Sequence, residues 1–419
     1  MIDVAEQSEI RNARGKFAAM VAAYGLGVFN DGLYRQSAML VAFAVGRGSM
    51  QALIFALFTL PYLLAAAPAG WLADRFSKRR VLIATKALEV VAMLLGAAGI
   101  VTVSWPLLLS MAFLMGLQSC LFNPALNGSI PELYPLGYVT RANARLKVVV
   151  TAMILAGMAA SGLAVGDHTP GWMDVPEGRW VVAIGVVIIA ATGLAVSFGV
   201  PRRPPADPRA PFPWTGIVAT IRQLRAIARD GLLRTVVAAN VFVWSIGSLL
   251  ALMINHLAKE DLHLSDAGAS GLVAAELVGV AIGGGLAGRL AAGKRWWRPL
   301  APAAMLMSIP LAVVGTVPLI PQAWQFAFAC ALLPLVGLSG GLIMVACEAF
   351  IQVRPPPERK GEVIASANFA VFAGIIASAG AAWALNTLPS AAARYAIVAG
   401  GALAFGIWLR RALRREAVP

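Results

Sequence analysis

"GWLADRFSKRRVL", residues 70–82, places one carboxylate and four basic side chains between two long apolar runs. Upstream stands "MQALIFALFTLPYLLAAAPA", residues 50–69, without a single charge. Downstream, residues 81–103 are again almost wholly apolar. Runs of about 20 apolar residues cross a hydrocarbon core of ~30 Å as helices. A short basic stretch between two such runs reads as a loop on one membrane face.

Moving outward, the pattern repeats along all 419 residues, of which 59% are hydrophobic and 13% charged. Soluble domains carry about twice that charged fraction, so a polytopic membrane protein is indicated. A transmembrane barrel would show alternating segments of about 10 residues, and none is found. The charged opening "MIDVAEQSEIRNARGK" has no short apolar core of the kind a cleaved signal has, so it reads as a cytoplasmic lead-in. Cys120, Cys330 and Cys347 fall inside apolar runs without metal-type spacing, which predicts neither disulfide nor metal site.

Twelve spans are expected. They lie near 17–44, 50–73, 81–103, 106–130, 143–166 and 180–200, then 232–257, 267–291, 299–318, 322–347, 361–385 and 391–410. Between the sets, residues 201–231 ("PRRPPADPRAPFPWTGIVATIRQLRAIARDG") are proline-rich, then basic and amphipathic, as a linker would be. The expected organisation is thus residues 1–200, a linker at 201–231, and residues 232–419. With the N-terminus inside, 29 of the 34 lysines and arginines fall on the cytoplasmic side, against Arg47, Arg179, Lys259 and Arg394 outside and Arg35 within the membrane. That bias places both termini in the cytoplasm and accounts for the +14 net charge without nucleic acid.

The opening stretch resembles the G-x-L-a-D-R-x-G-r-k/r-x-x-l signature of the major facilitator superfamily. Gly70, Leu72, Asp74, Arg75, Lys78, Arg79 and Leu82 match, while Ser77 stands where glycine is usual. An ordinary basic loop is the plainer reading of the same residues. The resemblance implies an all-α membrane protein with twelve transmembrane helices in two pseudo-symmetric six-helix bundles around a midplane site. Gly70 would allow close approach of another helix. Asp74 would pair with a cation or face the positive N-terminus of another helix, holding an inner gate shut. The corresponding stretch of the second half, "GRLAAGKRWWR" from Gly288, keeps glycine and bases but no aspartate.

Three further stretches narrow the branch: "FNDGLYRQS" (29–37), "LFNPALNGSIPELYPLGYVTRANARLK" (121–147) and "EAFIQVRPPPERKGEVIASANF" (348–369). Together they resemble bacterial lysophospholipid transporters. Departures are Asn30-Asp31-Gly32 in place of an Asp-Asn pair, Asn127 for a lysine, Glu348 for an asparagine, and a seventh span without arginine.

Asp31 and Arg35 are four residues apart, on one helix face and able to pair. Each charge costs ~2.5–3.5 kcal/mol at a membrane centre, so both must face the bundle interior or water. One reading is a polar cavity in which Arg35 meets a phosphodiester with its two-pronged fork and Asp31 meets an amine or carries a cation. The other is a structural salt bridge within the helix. Asn30, Asn123 and Asn127 join the expected substrate set, the last two with interhelical bonding as an equal alternative. Glu276, central in the eighth span, lines the cavity or bonds a neighbouring helix. Asp74, Arg75, Glu132, Arg145 and Glu348 are expected to gate, with Glu132 and Glu348 pairing with Arg141, Arg145 or Arg354. Asn143 and Asn368 cap or brace. Lys86 and Glu89 read as an exposed boundary pair.

No Walker loop, HExxH or G-x-S-x-G is present, and the three histidines lie toward the outer side, so neither enzyme activity nor a cofactor is expected. The resemblance implies a monomeric flippase of the bacterial inner membrane, moving lysophospholipids by alternating access for reacylation inside. Its expected partners are that substrate, membrane lipids and an acyltransferase–acyl-carrier ligase. There are two competitors: a proton-coupled drug or small-metabolite antiporter, which shares the facilitator motif, and, of another class, a membrane anchor or assembly subunit for a lipid-modifying enzyme.

Overall fold

The computed structural model describes residues 4–44, 50–164, 171–172, 175–291, 293 and 296–416. Arg47, Lys294 and Arg295, counted among the 34 basic residues, and His168 lie outside the described residues. Among those described, ten helices are long and apolar enough to cross a membrane, and a bent pair makes an eleventh. The first helix, Val4–Ala44, runs unbroken for 41 residues with the polar residues around Asp31 inside it, and it completes twelve spans.

In chain order, span 1 is Val4–Ala44, and span 2 is Met50–Leu64 continued by Ala66–Arg75. Spans 3 to 6 are Lys78–Thr102, Trp105–Leu133, Val139–Ala164 and Glu177–Ser197. After a linker helix, Ile217–Ile227, spans 7 and 8 are Gly231–His256 and Asp266–Leu290. Span 9 is Leu300–Leu306 with Ser308–Val314, and spans 10 to 12 are Gln322–Val353, Lys360–Asn386 and Ala391–Glu416. A two-stranded turn pairs Gly171–Trp172 with Val175–Pro176 before span 6.

Local chemistry explains the breaks. Span 2 bends by 59° at Ala65. Pro68 lacks the N–H that would reach back to Leu64, and its ring crowds that carbonyl, so the helix restarts. Span 7 begins where the Asp230 carboxylate accepts the Leu233 backbone N–H at 3.0 Å, and span 8 where Ser265 Oγ accepts that of Gly268.

The chain groups into two compact units. The first comprises residues 1–135, 152–224 and 355–369; the second comprises 136–151, 225–354 and 370–419. Spans 5 and 11 are therefore each divided, with the start of span 11 belonging to the unit that holds spans 1 to 4.

Within the first unit, span 1 lies on span 5 with little between them. A Cβ at Gly157 would come within 2.3 Å of the Phe29 carbonyl oxygen, and one at Gly32 within 3.1 Å of that of Ile154. Ser37 and Ser161 share a hydrogen bond of 2.7 Å across the same seam. Within the second unit, spans 8 and 10 interlock through Gly279 and Gly283 against Gly337 and Gly341, with added Cβ atoms only 1.9–2.1 Å from the facing carbonyls. Where lipid offers no hydrophobic gain between helices, such small residues supply the contact.

Candidate functional site

The seam between spans 1 and 5 sets the rotation of span 1, and with it the polar residues beside Gly32. Asn30 turns toward span 6, where its amide donates to the Val186 carbonyl at 3.0 Å, and its side chain is fully buried. Expected beside the substrate, Asn30 is instead sealed as an interhelical brace. Asp31 is half-buried and Arg35 exposed. The two form no ion pair, so the helical salt bridge allowed by their spacing is not made. The charges of Glu89, Arg35 and Lys86 all act on Asp31, as Asp31 acts on the Tyr62 hydroxyl of span 2. Asn123 of span 4 donates to that hydroxyl at 3.3 Å. Asn127, one turn further on, is half-buried.

Next to Asp31 is a group that the sequence reading missed. Lys86 Nζ lies 2.6 Å from Glu89 Oε2, and each side chain is only 1% exposed. The expectation of an exposed boundary pair is overturned. Gln118 donates to the same carboxylate at 3.3 Å, while Glu89 Oε1 has no partner. Lys86 also sits 5.4 Å from the Phe122 ring centroid, on which Tyr24 stacks. Gly27 makes the room: a Cβ there would meet Lys86 Nζ at 2.6 Å and Glu89 Oε2 at 3.2 Å. The signal was present, since a lysine and a glutamate eight and eleven residues into an apolar helix carry the same burial penalty used to single out Asp31. The first unit thus gathers Asp31, Lys86, Glu89, Gln118, Tyr62 and Asn123 from four spans.

The motif that decided the fold also lies in the first unit. Asp74, at the end of span 2, accepts backbone N–H groups of Gly361 at 2.8 Å and Glu362 at 2.9 Å. These amides open span 11 and have no partner within their own helix. Of the two roles expected for Asp74, the structure adopts the helix N-terminus. Gly70 permits the contact, because a Cβ there would stand 2.7 Å from Glu362 Cα. Beside it, Lys78 and Glu132 form an ion pair between spans 3 and 4. Glu132 therefore takes Lys78, not the Arg141, Arg145 or Arg354 expected from sequence. Arg75 is half-buried.

In the second unit, Glu348 is half-buried, hydrogen-bonded to Trp244 and under the charge of Lys147. The Lys147 ammonium stands 4.8 Å from the Trp244 ring centroid. Lys147 is not among the partners expected for Glu348, and Arg354, which is, instead binds Asp230 at 2.8 Å. Arg145 is exposed and lies over the Tyr138 ring. Asn143 and Gln352 exchange two amide hydrogen bonds, 2.8 and 3.0 Å long, both side chains buried. Asn143 thus braces, as one of its two expected roles. Glu276 is 6% exposed, with its backbone pressed against Gly337 and its charge reaching Tyr395. Among the described residues no three metal-ligating side chains converge.

Comparison with known proteins adds three results. The family model described as Major Facilitator Superfamily matches residues 17–379. Among curated relatives, the lysophospholipid transporter LplT of Shigella sonnei (strain Ss046) is 27% identical over 349 residues, covering 82% of this chain and 81% of the relative. That of Enterobacter sp. (strain 638) is 26% identical, covering 80% of each. Among solved structures, the human organic anion transporter MFSD10 (TETRAN) superposes with a TM-score of 0.76 at 14% identity, covering 95% of this chain and 99% of that one. The E. coli fucose:proton symporter FucP gives 0.69 at 15% identity, covering 94% and 98%. These likenesses establish the shared fold.

Proposed function

The chain belongs to the major facilitator superfamily of transporters, and from that premise we propose that its substrate is a lysophospholipid carried across the bacterial inner membrane. The observation that carries this reading is the polar group on span 1. Asp31 is half-buried and Arg35 exposed, and no ion pair joins them. Two opposed charges that are not locked in an ion pair suit a headgroup that itself carries a phosphate and an amine. Arg35 receives the phosphodiester through paired hydrogen bonds, Asp31 receives the amine, and Asn123 and Asn127 supply amide contacts beside them. Only the headgroup needs a wet path, because the single acyl chain is already at home in hydrocarbon. Relatives named as lysophospholipid transporters, about a quarter identical over most of the chain, support the same substrate.

Transport proceeds by alternating access, with both termini on the cytoplasmic side and Glu276 contributing to the substrate path. Asp74 is the inner latch, since its two charge-assisted hydrogen bonds hold the start of span 11 and must break for the inner face to open. Arg75 and Glu132 gate with it in the first unit, and Arg145 and Glu348 take a gating role in the second. An acyltransferase–acyl-carrier ligase is the partner that consumes the delivered lipid.

The test is transport by the purified protein in proteoliposomes, comparing a fluorescent lysophospholipid with a cationic dye. Lysolipid movement that Asp31→Asn abolishes is the expected result. Dye movement driven by a proton gradient, with no lysolipid movement, would replace this reading with drug antiport.

A further inference from the structure

The linker helix Ile217–Ile227 buries Ile227 but turns part of its apolar surface outward. A helix on a protein surface ordinarily buries its apolar side. Here Thr220, 1% exposed, and Gln223 face inward. Outward stand Ile217, Val218 (57% exposed) and Ile221, preceded by Trp214 at 87%. The first unit holds the linker in this attitude at several points. Arg359 donates to Gln223 Oε1 at 2.6 Å, and Trp71 Nε1 donates to the Ala210 carbonyl at 2.9 Å. The Trp71 ring packs edge-on against Phe212, and Phe212 against Trp214.

Charge follows the same side. Arg209 and Arg222 are exposed, Arg225 lies in the last turn of the helix, and no carboxylate occurs between Asp207 and Asp230. The segment joins the end of span 6 to the start of span 7, which tethers it near one membrane face. An exposed tryptophan, three aliphatic side chains and nearby arginines are what an interfacial helix presents to a bilayer with anionic headgroups.

We propose that this outward face seats in the membrane surface, with Trp214, Ile217, Val218 and Ile221 in the headgroup–acyl boundary and Arg222 and Arg225 on anionic phospholipid. The inward side reaches the latch, because the Asp207 backbone N–H donates to the Asp74 carbonyl at 2.9 Å. Lipid composition would thereby act on the segment that adjoins the Asp74 contact with span 11.

The experiment uses the full-length protein with Cys120, Cys330 and Cys347 replaced by alanine and a nitroxide at V218C, reconstituted in vesicles with and without phosphatidylglycerol. Relaxation by oxygen against a water-soluble nickel chelate reports whether the label is immersed. Immersion is expected with phosphatidylglycerol, reversed by salt. Each arginine contributes about a fivefold preference for the charged surface, so the ratio of seated to unseated segment should fall by that factor in Arg222→Gln and again in Arg222→Gln/Arg225→Gln. A label relaxed mainly from water in every vesicle overturns the proposal, and so does immersion indifferent to phosphatidylglycerol and to both arginines. Shielding of the label by an added soluble acyltransferase in lipid-free detergent would assign the face to a protein and overturn it as well.

Discussion

Asp74 and Gly361 meet with no room between them: the aspartate Oδ1 accepts the glycine N–H at 2.8 Å, and a Cβ on Gly361 would lie 2.7 Å from that same oxygen. The aspartate that ends span 2 thus caps span 11, at a residue 287 positions away in sequence.

The first prediction follows from that contact. Asp74→Asn keeps the shape but turns an amide N–H toward one of the two backbone donors, costing a charge-assisted bond of about 1.5–3 kcal/mol. Gly361→Ala forces the two groups apart by sterics. Both should raise the alkylation rate of a cysteine introduced by A73C, which is fully buried beside the contact in the parent chain. Unchanged alkylation in both variants would show that the bond does not hold this region closed.

The buried pair of span 3 makes a second prediction. Breaking a buried ion pair from one side leaves an uncompensated charge and costs about 3–5 kcal/mol. Lys86→Met alone and Glu89→Gln alone should each lower the melting temperature of the purified protein sharply. The double variant should recover most of the loss, because no lone charge remains. Equal destabilisation in all three would mean that packing around Gly27, not charge, dominates.

A third prediction separates substrate contact from structure on span 1. Asp31→Asn and Arg35→Ala should each abolish lysophospholipid uptake into spheroplasts with expression intact. Because the two residues form no ion pair, the exchange Asp31→Arg/Arg35→Asp should fail to restore uptake. Asn30→Ala should behave differently, lowering stability by about 0.5–1.5 kcal/mol through the lost hydrogen bond to the Val186 carbonyl. Full rescue by the charge exchange would return the pair to a structural role.

The fourth concerns acid. Desolvation works upward on the Asp230 carboxyl, but hydrogen bonds from Arg354 and the Leu233 N–H, with the Arg354 charge, outweigh it and hold the group below its ordinary range. A depressed folded value means stabilisation that is present above the ordinary carboxylate pKa and lost as pH falls through the folded one. The melting temperature of the parent should therefore drop more steeply below about pH 4 than that of Asp230→Asn. Parallel curves would remove Asp230 from the acid response.

The sequence alone determined the spans, the linker and the capping motif, because a bilayer imposes one length on every crossing helix and keeps most charge outside it. Asp74 was legible for the same reason: a carboxylate at a helix end has few partners to choose from. Tertiary structure decided which charges meet. Asp31 and Arg35 have the spacing to pair and do not; Lys86 and Glu89 looked peripheral and are buried; Glu132 passes over Arg141 and Arg145 for Lys78. Spacing along a helix says which side chains share a face, but the rotation of that face depends on glycines such as Gly32 and Gly157, whose close contact is set by a helix far away in the chain.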